Sequence, residues 1–306
     1  LFSNDNVALK NREAISLLIE IRKMQKNDLR LSKASYDLDI KVKDNNQYLV
    51  LENSYLQFNF MDSMSNIYNI ENNFTIENID GEYKITNFDK GQDFFVMLDD
   101  GDYTRQDYLE LTKKRLAKDE KFYQSYLDNG VKPLNCDHSY DRKKALDYAL
   151  TWVNKRNSDW VTYDANCQNY ASQVLYMGGI PMDHYGSKEV QWKAYSASYN
   201  EKEVPNGLVY TWTYVPYFAS YVKENTGYGI CARYDENIYY AEAGDIIHVG
   251  SSGPTRHALV VIGSVKKDDK VIDILVNSNT VDLENYPLSA YVYPYISLIK
   301  VYGWNN

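Results

Sequence analysis

The sequence predicts an α+β protein of two domains, on three observations. Its 306 residues are too many for one ordinary domain and fit about two, at roughly 100–200 residues each. Each half opens on helical periodicity and continues in short apolar runs split by turn residues, so helix precedes sheet twice. With 15 Gly and 7 Pro, the composition excludes collagen-like and low-complexity chains, and no apolar run reaches the ~18–20 residues of a membrane span.

The elements follow in order. Residues 9–30 read as an amphipathic helix, with Ile15, Leu18, Ile19, Ile21 and Leu29 near helical spacing. Strand-like runs come next at 36–42, 47–51, 55–60, 74–79 and 83–88. Asp80-Gly81 is a hairpin signal, because Asp-Gly supplies the positive φ of a tight turn. A leading helix followed by a curved antiparallel sheet loosely resembles the NTF2-like domains. An N-terminal α+β domain is therefore expected over residues 1–103. Residues 104–137 are expected to form a helical linker, its basic run of Lys113, Lys114, Arg115 and Lys118 a solvated face, ended by Gly130 and Pro133. The third segment, 138–306, begins with a helix over 140–157. A second helix starts near Cys167 and stops at Gly178-Gly179. Aromatic segments with short helices fill 185–230. Strands close the chain at 257–264, 271–277 and 296–302.

Charge and cysteine content narrow the function. A net charge of −9 and a pI of about 5.1 argue against a nucleic-acid partner held by phosphate neutralisation. Thirty tyrosines stand out, and most read as compositional bias. Three cysteines, Cys136, Cys167 and Cys231, are too few for a disulfide scaffold, and without a Cys-x-x-Cys pair no zinc site is expected. Cys136 and Cys231 are candidates for a disulfide if the protein is exported. The chain opens on Leu, which fits an export segment already removed.

Three polar positions could carry chemistry. Cys167 begins a helical stretch, where unpaired N–H groups and the positive end of the dipole lower a thiol's pKa and can stabilise an oxyanion. His257 ends a Gly/Ser/Pro loop and opens an apolar strand, a rim position from which a general base reaches a nucleophile on another element. If strands 257–264 and 271–277 form a hairpin, Asn277 and Asn279 share a face near His257, and either amide could fix its tautomer. Asn169, Ser172 and Gln173 are expected to tie down loops. Trp192, Trp212, Tyr214 and Tyr217, with Tyr163 from the loop before Cys167, are candidates to line a substrate groove, and large aromatics serve equally as core.

A thiol at a helix start, a base at a strand start and an amide ending the next strand resemble the layout of papain-like cysteine hydrolases. Over residues 139 to about 290 the chain also resembles the bacterial "putative amidase" domain, a relative of the NlpC/P60 and CHAP cell-wall hydrolases. The resemblance is carried by Tyr140-Asp141-Arg142, Trp152 and Arg156-Asn157, and by Cys167-Gln168-Asn169-Tyr170-Ala171-Ser172-Gln173 followed by Gly178-Gly179-Ile180-Pro181-Met182. Gly244-Asp245, His257 and Asn279-Thr280-Val281-Asp282 continue it. It implies Cys167 as nucleophile and His257 as base. The family's third polar residue falls on Asn279, and analogy with CHAP domains would give that role to Asn277. Two departures stand out: the family usually has Asp where Asn166 precedes the cysteine, and often His where Asn279 stands.

These readings lead to an exported or wall-associated cysteine amidohydrolase. It would cleave an amide bond through a thioester, with the peptide part of peptidoglycan as partner and no metal or organic cofactor. The alternatives are an acyltransferase on the same site and an inactive wall-binding or scaffold protein. The N-terminal domain has no catalytic constellation, and a spacer or protein-docking role is expected for it.

Overall fold

The computed structural model describes residues 5–44, 46–90, 103–186, 190–194 and 209–306. The chain divides into two compact units, Leu1–Lys113 and Lys114–Asn306.

The first unit opens with helix α1 (Asp5–Gln25). Its buried stripe is Ala14, Leu17 and Ile21, at i, i+3 and i+7, while Ile15 and Ile19 are exposed. The helix stops well before residue 30 because Lys26 takes a positive φ and the Asn27 side chain accepts from the Leu29 N–H at 2.9 Å. Strands β1 (Arg30–Val42), β2 (Gln47–Phe60), β3 (Ser63–Ile79) and β4 (Glu82–Lys90) follow as an antiparallel meander. Asp80 and Gly81, both at positive φ, make the tight turn between β3 and β4. One apolar row crosses the meander: Ile40 lies opposite Val50, Val50 opposite Phe74, and Phe74 stacks on Phe88 at 4.4 Å.

Helix α2 spans Arg105–Asp128. The second unit goes on to β5 (His138–Ser139), α3 (Arg142–Trp152), α4 (Cys167–Met177), α5 (Tyr210–Thr213) and α6 (Val215–Glu224). Strands β6 (Gly229–Glu236), β7 (Ile246–Gly250), β8 (His257–Lys267), β9 (Lys270–Asn279), β10 (Asp282–Pro287) and β11 (Tyr295–Asn305) complete it. They pair in the order β10-β9-β8-β7-β11-β5, with β6 also on β11.

This arrangement corrects the expected fold class. The residues do not build a papain-like α+β domain preceded by an NTF2-like α+β domain. Antiparallel sheet dominates, with eleven strands and few helices among the described residues. β5, β6, β7 and β10 lie where the sequence predicts no strand. The five residues of β7 are all buried, so no alternation marks them as strand. Arg115 is also corrected. It is buried rather than solvated, and its guanidinium donates to the carbonyls of Tyr291 and Tyr293 at 2.6 and 2.9 Å.

The core of the second unit lies between the helices and the sheet, around Tyr170, Val174, Trp192, Trp212, Phe218, Val260 and Ile299. Gly178 is needed where α4 ends, because a Cβ there would sit 2.1 Å from the ring of Tyr140. A disulfide joins Cys136 to Cys231 on β6. No helix among the described residues is long and apolar enough to cross a membrane.

Candidate active site

Cys167 is the first residue of α4 and is only 5% exposed. Asn166 precedes it, and its side chain does not cap the helix. Instead Asn166 Oδ1 accepts from the Tyr163 N–H and from Asn169 Nδ2, at 3.3 and 2.8 Å, and its Nδ2 donates to Asn279 Oδ1 at 2.5 Å. The loop that delivers the cysteine is therefore fixed from three sides. The Cys167 N–H donates to Thr280 Oγ1 at 2.9 Å, which ties the helix start to the end of β9.

His257 opens β8 opposite Val249 of β7 and is buried. Its loop folds back tightly. The Gly253 carbonyl lies where a Cβ on Gly250 would be 2.0 Å away, and the Arg256 N–H donates to the Val249 carbonyl at 3.0 Å. His257 Nε2 is 2.8 Å from Ser278 Oγ. Burial on its own raises the pKa of the Cys167 thiol. The His257 imidazole, by charge and by hydrogen bond, outweighs burial together with hydrogen bonds from the Ala258 N–H and the Thr280 hydroxyl, and the net shift is downward. The structure thus brings a thiol with a lowered pKa against an imidazole whose Nε2 meets a hydroxyl.

The register explains why that hydroxyl belongs to Ser278 rather than to Asn277 or Asn279. β8 and β9 turn at Asp268-Asp269, both at positive φ, with Lys267 opposite Lys270 and Val260 opposite Asn277. His257 therefore shares a face with Ser278 and Thr280, and the two asparagines take the other face. Asn279 Nδ2 donates to the carbonyls of Trp152, Val153 and Lys155 at 2.8, 3.0 and 3.1 Å, and Asn277 Oδ1 accepts from the Asn285 N–H at 2.8 Å. Ser278 and Thr280 were the residues missed. Counting back from a two-residue Asp-Asp turn was the signal that could have found them.

Residues 139–304 match the family described as "Putative amidase domain", over half of the chain. The chain belongs to this amidase-domain family. It is 30% identical over 145 residues to the "Uncharacterized protein YhbB" of Bacillus subtilis (strain 168), a match covering 47% of this chain and 42% of that protein. No solved structure matches it significantly.

Within the amidase domain, two of the expected groove residues prove to be core. Trp192 and Trp212 are 0% exposed, and their rings lie 4.6 Å apart. Trp212 Nε1 donates to Asn169 Oδ1 at 2.9 Å and Trp192 Nε1 to Ser172 Oγ at 3.2 Å, so both indoles brace α4 from beneath. Tyr214, 57% exposed, and half-buried Tyr163 do have accessible faces, and Tyr214 clusters with exposed Tyr210 and Tyr217. Asn169, Ser172 and Gln173 are buried and hydrogen-bonded. Ser172 Oγ donates to the Trp212 carbonyl at 2.8 Å, and Gln173 Oε1 accepts from the Tyr148 hydroxyl at 2.6 Å.

His248 is buried on β7. Its Nε2 meets Gln168 Oε1 at 2.9 Å, next to the cysteine, and burial first, then the charges of His257 and Lys223, push its pKa down to about 3. It is a neutral donor that holds α4. Among the described residues, no three His, Cys, Asp or Glu side chains gather closely enough to hold a metal ion.

Proposed function

We propose that the amidase domain hydrolyses an amide bond with Cys167 as nucleophile and His257 as acid and base. The observation that carries this reading is the pairing of a thiol and an imidazole in one buried site, with the thiol's pKa lowered mainly by that imidazole against the cost of burial. The thiolate sulfur attacks the carbonyl carbon, and the oxyanion forms beside the N–H groups of the first turn of α4. The C–N bond breaks as His257 hands its proton to the leaving amine, leaving a thioester. His257 then takes a proton from water, the hydroxide attacks the thioester, and the acid and the thiol are released. In this mechanism Ser278, 2.8 Å from His257 Nε2, accepts its proton's hydrogen bond, which keeps the other ring nitrogen for the thiol.

The substrate of this reading is the peptide part of peptidoglycan, outside the cytoplasm. The Cys136–Cys231 disulfide supports an oxidising compartment. Digestion of purified peptidoglycan by the wild type and by Cys167→Ala, with mass spectrometry of the fragments, tests it. The wild type is expected to release new amine and carboxylate ends, and the variant to lose this activity on the order of 10⁴-fold. Equal fragments from both proteins would remove Cys167 from the mechanism. Fragments that add to a supplied amine in place of water would make the enzyme an acyltransferase.

A further inference from the structure

β1 carries apolar side chains into solvent along an open edge. Its one described neighbour is β2, and all 13 of its residues are exposed. Tyr36, Leu38, Ile40 and Val42 share one face and are 67%, 53%, 60% and 68% exposed. An open edge offers unpaired backbone N–H and C=O groups to any extended chain, and charges along it normally keep such partners away. Here the charges are of both signs and in a particular order. Residues 37–43 read Asp-Leu-Asp-Ile-Lys-Val-Lys. Reversal about Ile40 exchanges each Asp with a Lys and Leu38 with Val42.

That antisymmetry has a geometric meaning. When two copies of the strand pair antiparallel with Ile40 opposite Ile40, Asp37 faces Lys43, Asp39 faces Lys41 and Leu38 faces Val42, each twice by symmetry. Registers centred on Asp39 or Lys41 set that residue against its own copy. Registers centred on Leu38 or Val42 set Asp37 against Asp39 or Lys41 against Lys43. Only the Ile40 register matches charge with countercharge and apolar with apolar. In the single chain Lys41 leans on Asp39 at 3.4 Å, an exposed pair that contributes little and is free to change partner.

We propose that two copies of this chain associate through β1, antiparallel with Ile40 on the two-fold axis, so that the sheet of the first unit continues from one copy into the other. The partner surface is a second copy because the strand's charge order complements itself. This interface is independent of the amide chemistry.

Light scattering on the intact chain tests it. The wild type is expected near twice the 35.6 kDa chain mass at micromolar concentration. The double variants Asp37→Lys/Asp39→Lys and Lys41→Glu/Lys43→Glu each place like charges across the axis, and each is expected to fall to the single-chain mass. Mixed together they restore every opposite pair, and the doubled mass returns. These side chains are exposed, so circular dichroism is expected to show the fold intact. Ile40→Cys is expected to cross-link the dimer under mild oxidation. A wild type at single-chain mass, variants that stay dimeric, a mixture that stays monomeric, or a dimer that Ile40→Cys does not cross-link would each overturn the proposal.

Discussion

Around Cys167 the second unit buries polar side chains and gives them partners, whereas β1 of the first unit leaves apolar side chains in solvent. Asn166, Gln168, Asn169, Ser172 and Asn279 are nearly inaccessible, and each is hydrogen-bonded. Tyr36, Leu38, Ile40 and Val42 carry no such protection. Burying amides and hydroxyls is costly unless each finds a partner, and a fully partnered network holds its members in one geometry. Exposing aliphatic side chains forgoes stability and leaves a surface that another chain can cover. The two regions thus spend polarity in opposite ways, one on a fixed site and one on an open edge.

Substitutions in the two regions are expected to separate in the same way. The largest effect belongs to His257→Ala. Amide hydrolysis is expected to fall on the order of 10³-fold or more, and the alkylation rate of Cys167 to need higher pH, because the charge and hydrogen bond that lower its pKa are gone. A pH-rate profile with a thiol reagent measures this, and an unchanged profile would disconnect the pair. Next is Trp212→Ala, expected to cost about 3–5 kcal/mol in urea unfolding, against within about 0.5 kcal/mol for Tyr214→Ala on the same stretch of chain. Equal costs would mean that the indole does not brace α4.

Acid gives a third, graded effect. The folded-state pKa of His248 is pushed below its unfolded value, down to about 3. Its contribution to stability is complete above about pH 6.5 and is lost as pH falls from there towards 3. Thermal melts are expected to decline over that window, and His248→Gln, which keeps a donor for Gln168, to flatten the decline. Smallest is Leu31→Arg, exposed on β1 outside the paired stretch 37–43, expected to leave the melting temperature within error.

How far the site could be read beforehand differs from residue to residue. Cys167 at a helix start and His257 between a Gly/Ser/Pro loop and an apolar run were visible because chain punctuation marks both places. Ser278 was hidden because strand alternation gives parity only once a register is known, and a shift of one residue exchanges the faces. Trp192 and Trp212 were ambiguous because an indole serves a groove or a core equally well, and only packing decides. For the fold, the runs before β2 and β4 were legible from their turns. β7 was not, since a strand buried on both faces shows no period.

Asn166 and Asn279 are the two positions at which the sequence departs from the amidase pattern it resembles, and they hydrogen-bond to each other at 2.5 Å. Aspartate facing histidine would place a second titrating couple beside the thiol. Two amides hold the same span without a proton to gain or lose. The strut next to Cys167 is electrically silent, and of the groups that lower the thiol's pKa His257 is the foremost.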